Sequence, residues 1–447
     1  MIRCLRRLTF LKLGTKRRIL PLFLLIIIYI SLTNFYHDKI SELCCPQNED
    51  FMLAASKNNT IDLKNQKTKV KKSSHTFLKY SSSDDWIEVD GTERDLFIYS
   101  AYYDERQRPA VVRVISIVKR MSKKFSCQVW TTNGNKYDGK VLIKLIRENW
   151  GLKYSAAFLI CKDFRLKHGE IAEAITIKTQ KNASSETRIK IMHFPSTGYE
   201  GNFSVCVKPF HYEYNRAVWL VEFIELHRIL GVRKFFFYNH TVGEELEKAL
   251  QYYIKEGLVE VFQWSLPVIT QKEIRTEGIF ASLNDCNLRN VGRYRFTFMI
   301  DLDEFIIPRD ANNYHELFAD LGEEHSSYVF QNVFFYLYWN NDTTASNLLY
   351  GTPNSIGTKL YGNESEGPYL LTAYKTTRLS VPHKHNTRSK YVVQPERVIE
   401  CGNHFAWESI GEKSVLNVGH DIALSHHYRI CEYGGFDCLK SPHLVYK

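Results

Sequence analysis

The eleven residues Phe298–Pro308 read FMIDLDEFIIP, and three of them, Asp301, Asp303 and Glu304, are carboxylates in an otherwise apolar run. Side chains alternate along extended backbone, so Asp301 and Asp303 point one way and Leu302 the other. Two carboxylates on one face, where a buried strand ends, make a hard-oxygen site. Mg²⁺ or Mn²⁺ is typically held by one or two such groups, together with substrate phosphates and water. Asp-x-Asp alone is a weak signal, because any acidic turn produces it. Its meaning depends on the elements around it.

Those elements alternate. The stretch EYNRAVWLVEFIELHRIL has apolar positions on a helical face and is followed by Gly231, a helix stop. A short aromatic strand, VRKFFFYNHT, comes next. EELEKALQYYIKEG reads as a helix ended by Gly257, LVEVFQW as a strand, QKEIRTEGIFASLNDCNLRNVG as a helix, and RFTFMI as a third strand ending at Asp301. Strand–helix–strand–helix–strand indicates a parallel sheet built from crossovers. Ligands of such sheets bind outside the carboxyl ends of the strands, which is where Asp301 and Asp303 fall. Upstream, roughly residues 91–200 hold short runs rich in β-branched and aromatic residues, separated by turns such as TNGNKYDG and KHGE. That spacing suggests a small β-rich domain, a sandwich or a barrel.

The formal net charge is +10, but Arg3, Arg6, Arg7, Lys12, Lys16, Arg17 and Arg18 crowd the first 18 residues without an acid. The basic balance is mostly this tail, which argues against a nucleic-acid footprint. The tail abuts ILPLFLLIIIYISLTNFY, residues 19–36, which carries no charge. This is long enough for a transmembrane signal anchor, and the positive-inside rule keeps residues 1–18 cytosolic and the rest lumenal. A cleaved signal peptide ending near Thr33 is the alternative. Residues 37–90 are polar, Lys/Ser-rich and aperiodic, as expected of a stem. The ten cysteines show no zinc-site spacing. With Cys4 in the cytosol, nine remain for the oxidising side, so at least one is unpaired or pairs between chains. Asn58, Asn182, Asn202, Asn239, Asn341 and Asn363 begin N-glycosylation acceptor motifs.

From about residue 200 to 430 the chain resembles glycosyltransferase family 92. The residues carrying the resemblance are CVKPF, WLVEFIELHRILGV, FFFYNH, LNDCNLRN, FMIDLDEFIIP, KYVVQPERVIECGNH and ALSHHYR, with IYSAYYDER upstream. The resemblance implies an α/β, GT-A-like (Rossmann-like) glycosyltransferase domain over 201–447, preceded by the β-rich domain and the membrane anchor. It also implies a type II, single-pass Golgi membrane protein with a lumenal catalytic domain. UDP-galactose is the implied donor, a glycan the acceptor, Mn²⁺ the cofactor and a β-linkage the product. Asp301 and Asp303 fall on the family's Asp-x-Asp.

On that basis the metal set is Asp301 and Asp303, with His427 (in SHHYR) and His404 (in GNHFAW) as further ligand candidates. Inversion needs a general base for the acceptor hydroxyl. Glu364, Glu366, Glu400, Glu408 and Asp421 are candidates, with Glu408 preferred. Tyr238, at the end of the first strand, is a candidate for stacking on uracil. Lys390 belongs to a basic cluster with His383, Lys384 and His385 that offers contacts to a diphosphate. Two other classes fit a lumenal chain, a glycoside hydrolase and a non-catalytic carbohydrate-binding protein. Hydrolytic carboxylates flank the scissile bond, however, and do not sit two apart on one strand. The oligomeric state is left open.

Overall fold

A computed structural model describes residues 85–120, 124–179, 187–344, 369–412, 414–431 and 443–445. The expected anchor 19–36, nearly all of the stem, and Glu364 and Glu366 lie outside these residues. Among the described residues no helix is long and apolar enough to cross a membrane.

The β-rich region is a barrel. Its strands are β1 (Ile87–Glu88), β2 (Leu96–Asp104), β3 (Val111–Lys119), β4 (Phe125–Thr131), β5 (Lys136–Leu145), β6 (Tyr154–Lys162), β7 (Ala172–Thr179) and β8 (Ile189–His193). They run β1-β2-β3-β6-β5-β4-β7-β8, and a parallel β2–β8 pairing closes the ring. Closure removes the exposed sheet edges that otherwise invite aggregation. Burial tells which wall meets the rest of the molecule. Strand β5 alternates exposed and half-buried residues, whereas β2, β3 and β6 are buried on both faces. The Cys127–Cys161 disulfide ties β4 to β6 across β5. It passes over Gly139, where a Cβ would come within 2.9 Å of Cys127 Sγ, so only glycine fits beneath the bridge.

The second region is α/β. Strands β9 (Gly201–Cys206), β10 (Lys234–Asn239), β11 (Val259–Gln263) and β12 (Tyr294–Met299) are parallel and stand in the order β11-β10-β9-β12. Helices α1 (Ala217–Ile229), α2 (Glu244–Lys255) and α3 (Ile279–Asn290) connect them in turn. Gly231 and Gly257 follow α1 and α2 in the left-handed region, as the stop signals predict. Two expectations are corrected. The Asp301 strand is the fourth, because β9 precedes those read from the sequence and lies between β10 and β12. The third helix starts at Ile279 rather than near Gln271, because Thr276 and Glu277 have φ of 40° and 49° and cannot continue a helix. Beyond β12 the sheet continues antiparallel through β17 (Lys390–Val393) and β14 (Ser327–Phe330), and β20 (Val415–Val418) then pairs parallel to β14. A small sheet of β13 (Glu304–Pro308), β21 (Ala423–Arg429) and β15 (Asn332–Tyr336) packs beside it.

Chain order reverses between β9 and β12. One strand's following loop leads toward β10, while the other leads away from it, so a crevice opens at their carboxyl ends. Helix α1 floors this region, and every residue from Leu220 to His227 is buried. Its polar members need partners. Glu222 accepts the Leu371 and Thr372 backbone N–H groups, both at 2.8 Å. Glu225 accepts the Tyr253 hydroxyl at 2.9 Å. His227 donates Nδ1–H to the Phe223 carbonyl at 2.8 Å and stacks on Phe305.

Burial holds the His227 pKa down at about 4. The unfolded chain, with an ordinary imidazole, therefore takes up this proton first as pH falls. The stability tied to a neutral His227 is fully present above pH 6.5 and is lost between there and pH 4, on the order of 3 kcal/mol. We expect His227→Phe to lose less stability than the wild-type chain between pH 7.5 and pH 5 in urea unfolding. Equal losses would show that His227 is not the acid-sensitive group.

Candidate active site

A cavity of about 430 Å³ lies at the β9/β12 reversal. The loop after β9 supplies Lys208, His211 and Tyr214, and the start of α1 supplies Trp219. The turn after β12 supplies Asp301, Asp303 and Glu304. Arg388 and Lys390 enter at β17, Asn403 and His404 come from a turn, and His427 comes from β21. A second cavity, about 510 Å³, lies at the opposite end of the same strands, beside Gly201, Lys234 and Tyr294. The first has the residues and the position that open α/β sheets use for ligands.

Asp301 and Asp303 do not lie on extended backbone. Residues 301–303 form a turn closed by the Glu304 N–H bonding to the Asp301 carbonyl at 3.1 Å. The turn still brings both carboxylates to the cavity, while Leu302 sinks into the core. Glu304 is only 1% exposed and organises what surrounds it. One oxygen accepts the Asp301 backbone N–H at 2.9 Å and lies 3.1 Å from Lys390 Nζ. The other lies 3.0 Å from His427 Nδ1. His427 Nε2 then faces Asp303 at 3.4 Å. Asp301 Oδ2 sits between Lys208 and Lys390, at 3.3 Å and 3.2 Å.

These pairings decide the protonation states. Burial opposes charge on Asp301, but Lys208 and Lys390 outweigh it and hold the carboxyl well below its usual range. Burial likewise opposes charge on Asp303, and His427 overcomes it. Asp301 pushes Lys208 up. His427 is raised to about 9, because Glu304 and Asp303 outweigh the burial that would neutralise it. His404 goes the other way, to about 4, by burial and the nearby Lys390 charge. Its Nδ1 lies 3.1 Å from the Ser389 carbonyl, which can only accept, so the proton is on Nδ1.

The structure thus brings together Asp301, Asp303, Lys390, His404 and His427. It does not bring Tyr238 or Glu408 to them. Tyr238 is fully buried, with its hydroxyl donated to Asp285 at 2.7 Å, so no face is open to a base. Glu408 is bound by Lys144 and, at 3.6 Å, Arg147, both from the barrel. Glu400 is buried in the same network, and Asp421 is an exposed neighbour of His420. Among the described residues, the carboxylates lining the cavity are Asp301, Asp303 and Glu304. Of the other basic residues expected with Lys390, His383 packs on Phe334 and His385 bonds the Val418 carbonyl. The sequence by itself gives no role to Lys208, His211 or Arg388, although Lys208 lies within CVKPF. Lys208 and His211 lie in the loop after β9, and only knowledge of that strand marks the loop as a strand's carboxyl end. His211 Nε2 lies 3.3 Å from the buried carboxylate of Glu277.

Among the described residues no three His, Cys, Asp or Glu side chains converge as a ready-made metal cage. The donor chemistry nevertheless fits a divalent cation that shares its shell with a ligand. Asp303 and His427 Nε2 face the cavity, and the carboxylate on His427 Nδ1 is the outer partner that metal-binding imidazoles commonly have. Asp301, neutralised by two ammonium groups, fits a supporting role better than direct ligation.

Removing one member of a buried charge cluster leaves its partner uncompensated. Lys390 is 3% exposed and Lys208 35%. We expect Lys390→Met to cost roughly 3–5 kcal/mol in urea unfolding. Lys208→Met should cost under about 1 kcal/mol. Equal costs would mean that Glu304 does not depend on Lys390.

The family model of glycosyltransferase family 92 matches residues 201–443, more than half of the chain. The chain is 28% identical over 225 residues to beta-1,4-galactosyltransferase galt-1 of Caenorhabditis elegans, covering 47% of this chain and 51% of that protein. It is 27% identical over 137 residues to glycosyltransferase family 92 protein F13G3.3 of C. elegans, covering 28% and 26%. The match thus spans about half the length of the first relative and about a quarter of the second. Among solved structures, glucosyl-3-phosphoglycerate synthase from Mycobacterium tuberculosis covers 44% of this chain and 57% of its own, at 15% identity and a TM-score of 0.21, too slight a likeness to argue from. On the match over 201–443, the chain belongs to glycosyltransferase family 92.

Proposed function

We propose that the chain is a metal-dependent glycosyltransferase that moves galactose from UDP-galactose to a glycan acceptor, with inversion to a β-linkage, on a GT-A-like domain. Family membership supports the reaction class. The name of the C. elegans relative, a beta-1,4-galactosyltransferase, supports the sugar. The observation that carries the reading is the acid turn at the sheet's reversal point, with Asp303 and His427 facing the cavity and Lys208, Lys390 and Arg388 around it. That surplus of cations suits a nucleoside diphosphate, whose oxygens complete a shell begun by Asp303 and His427. A cation bound there offsets the charge that builds on the leaving diphosphate.

The chain's own residues do the rest. Lys390 holds Asp301 ionised, Glu304 orients the His427 ring, and Lys208 stands where a phosphate oxygen can share it with Asp301. We place the protein in the Golgi membrane as a single-pass type II chain. The uncharged run at 19–36 supports this, as do the Cys127–Cys161 and Cys206–Cys286 disulfides, which persist in oxidising compartments.

The test is a panel of UDP-sugars offered to the detergent-solubilised full chain, with and without Mn²⁺. We expect UDP-galactose to be consumed only with the metal. Asp303→Asn should lower turnover by about 100-fold or more with unchanged thermal unfolding. Full activity after chelation, or in Asp303→Asn, would remove the metal from the mechanism. Preference for another UDP-sugar would reassign the donor alone.

A further inference from the structure

One wall of the cavity depends on the barrel. Asn403 and His404 sit on the turn joining β18 (Val398–Cys401) and β19 (Ala406–Ser409), a two-stranded pair with irregular register. A lone pair of strands is marginal by itself, so this turn needs an outside hold to stay in place.

The hold comes from the connection between β5 and β6. Glu148 Oε1 accepts the Trp407 indole N–H at 2.8 Å and lies 3.3 Å from the Asn403 backbone N, which donates to it. One carboxylate thus grips both ends of the turn. The grip is close to the backbone. A Cβ on Gly402 would come within 2.6 Å of both Glu148 Oε1 and Trp407 Nε1, so a side chain there would pry the contact apart. Glu148 is itself fixed in the left-handed region, with φ of 64°. Its carbonyl accepts from Arg275, whose guanidinium stacks on Trp150 at 3.3 Å. Neighbouring barrel residues reinforce the same hairpin. The Arg147 N–H donates to Glu400 at 3.0 Å, and Arg106 donates to the Val398 carbonyl at 2.9 Å.

We propose that Glu148 is a positioning residue for the active site, holding through Trp407 and Asn403 the turn that presents His404 to the nucleotide-sugar. The barrel is then part of the catalytic apparatus. This rests on the cavity being the transferase site. The geometry must be held tightly for this to matter, since a displacement of about 1 Å at a reacting centre can cost on the order of 100-fold in rate.

The experiment compares the full chain with Glu148→Ala, Glu148→Gln, Trp407→Phe and the Glu148→Ala/Trp407→Phe pair. Two readouts are taken: turnover of UDP-galactose with Mn²⁺, and hydrogen exchange of the amides at 402–405. Glu148→Ala should lower kcat about tenfold or more. Glutamine keeps an oxygen for the indole N–H, so Glu148→Gln should stay within about threefold of wild type. The double variant should be no worse than Glu148→Ala, because the contact that Trp407→Phe removes is already lost in Glu148→Ala. Exchange at 402–405 should speed up in Glu148→Ala and not in Glu148→Gln. A fully active Glu148→Ala, losses that multiply in the double variant, or unchanged exchange would each overturn the proposal. Should Glu148→Ala not fold, Trp407→Phe must still reduce kcat and loosen the same amides. Should the wild-type chain consume no UDP-sugar, the proposed reaction falls, and exchange alone decides whether Glu148 holds the turn.

Discussion

A buried carboxylate must find partners or lose its charge, and that constraint shapes this molecule around Glu304. Its two oxygens face Lys390 and His427 from two different strands and also accept the backbone of the acid turn. Each partner is then available to a second acid, Lys390 to Asp301 and His427 to Asp303. The half-buried acids can therefore remain ionised at the cavity because a fully buried one organises the cations behind them. Unpaired, such charges would cost several kcal/mol each. Paired in this way, they form a pre-oriented polar surface.

The same logic joins the two regions of the chain. Asp285 of α3 is fully buried at the boundary between barrel and α/β sheet. It accepts hydroxyls from Ser100 and Tyr102 of the barrel and from Tyr238 of the sheet, and it pairs with Arg289 at 2.6 Å. Around it, Tyr99, Tyr102, Ile115 and Phe158 of the barrel pack in one apolar cluster with Phe236, Phe262, Trp264 and Phe280. This explains why three barrel strands are buried on both faces. It also accounts for Tyr238, an aromatic at a strand's carboxyl end that serves the junction and does not line the cavity.

Local pattern was enough to identify α1, α2 and strands β10, β11 and β12, because their periodicity and their glycine stops are properties of short stretches of chain. The Asp301–Asp303 motif was legible for the same reason, although the backbone there proved to be a turn. Strand β9 was not legible. Its six residues, GNFSVC, carry little alternation, and their place inside the sheet follows from pairing with β10 and β12. Glu408 looked like a candidate base because sequence alone does not show which carboxylates are already committed to cations from another domain.

The amino-acid sequence by itself determined the class of the chain, the alternating elements of its α/β half and the acids that close the fourth strand, since each is written within a few neighbouring residues. Only the tertiary structure decided which charges meet. Lys208, Lys390 and His427 are separated from one another by tens to hundreds of positions, and they converge on residues 301–304 because sheet order places the ends of their strands together. Coulombic attraction falls with distance in space and is indifferent to distance along the chain, so the partners of a buried acid are known only once the chain has folded.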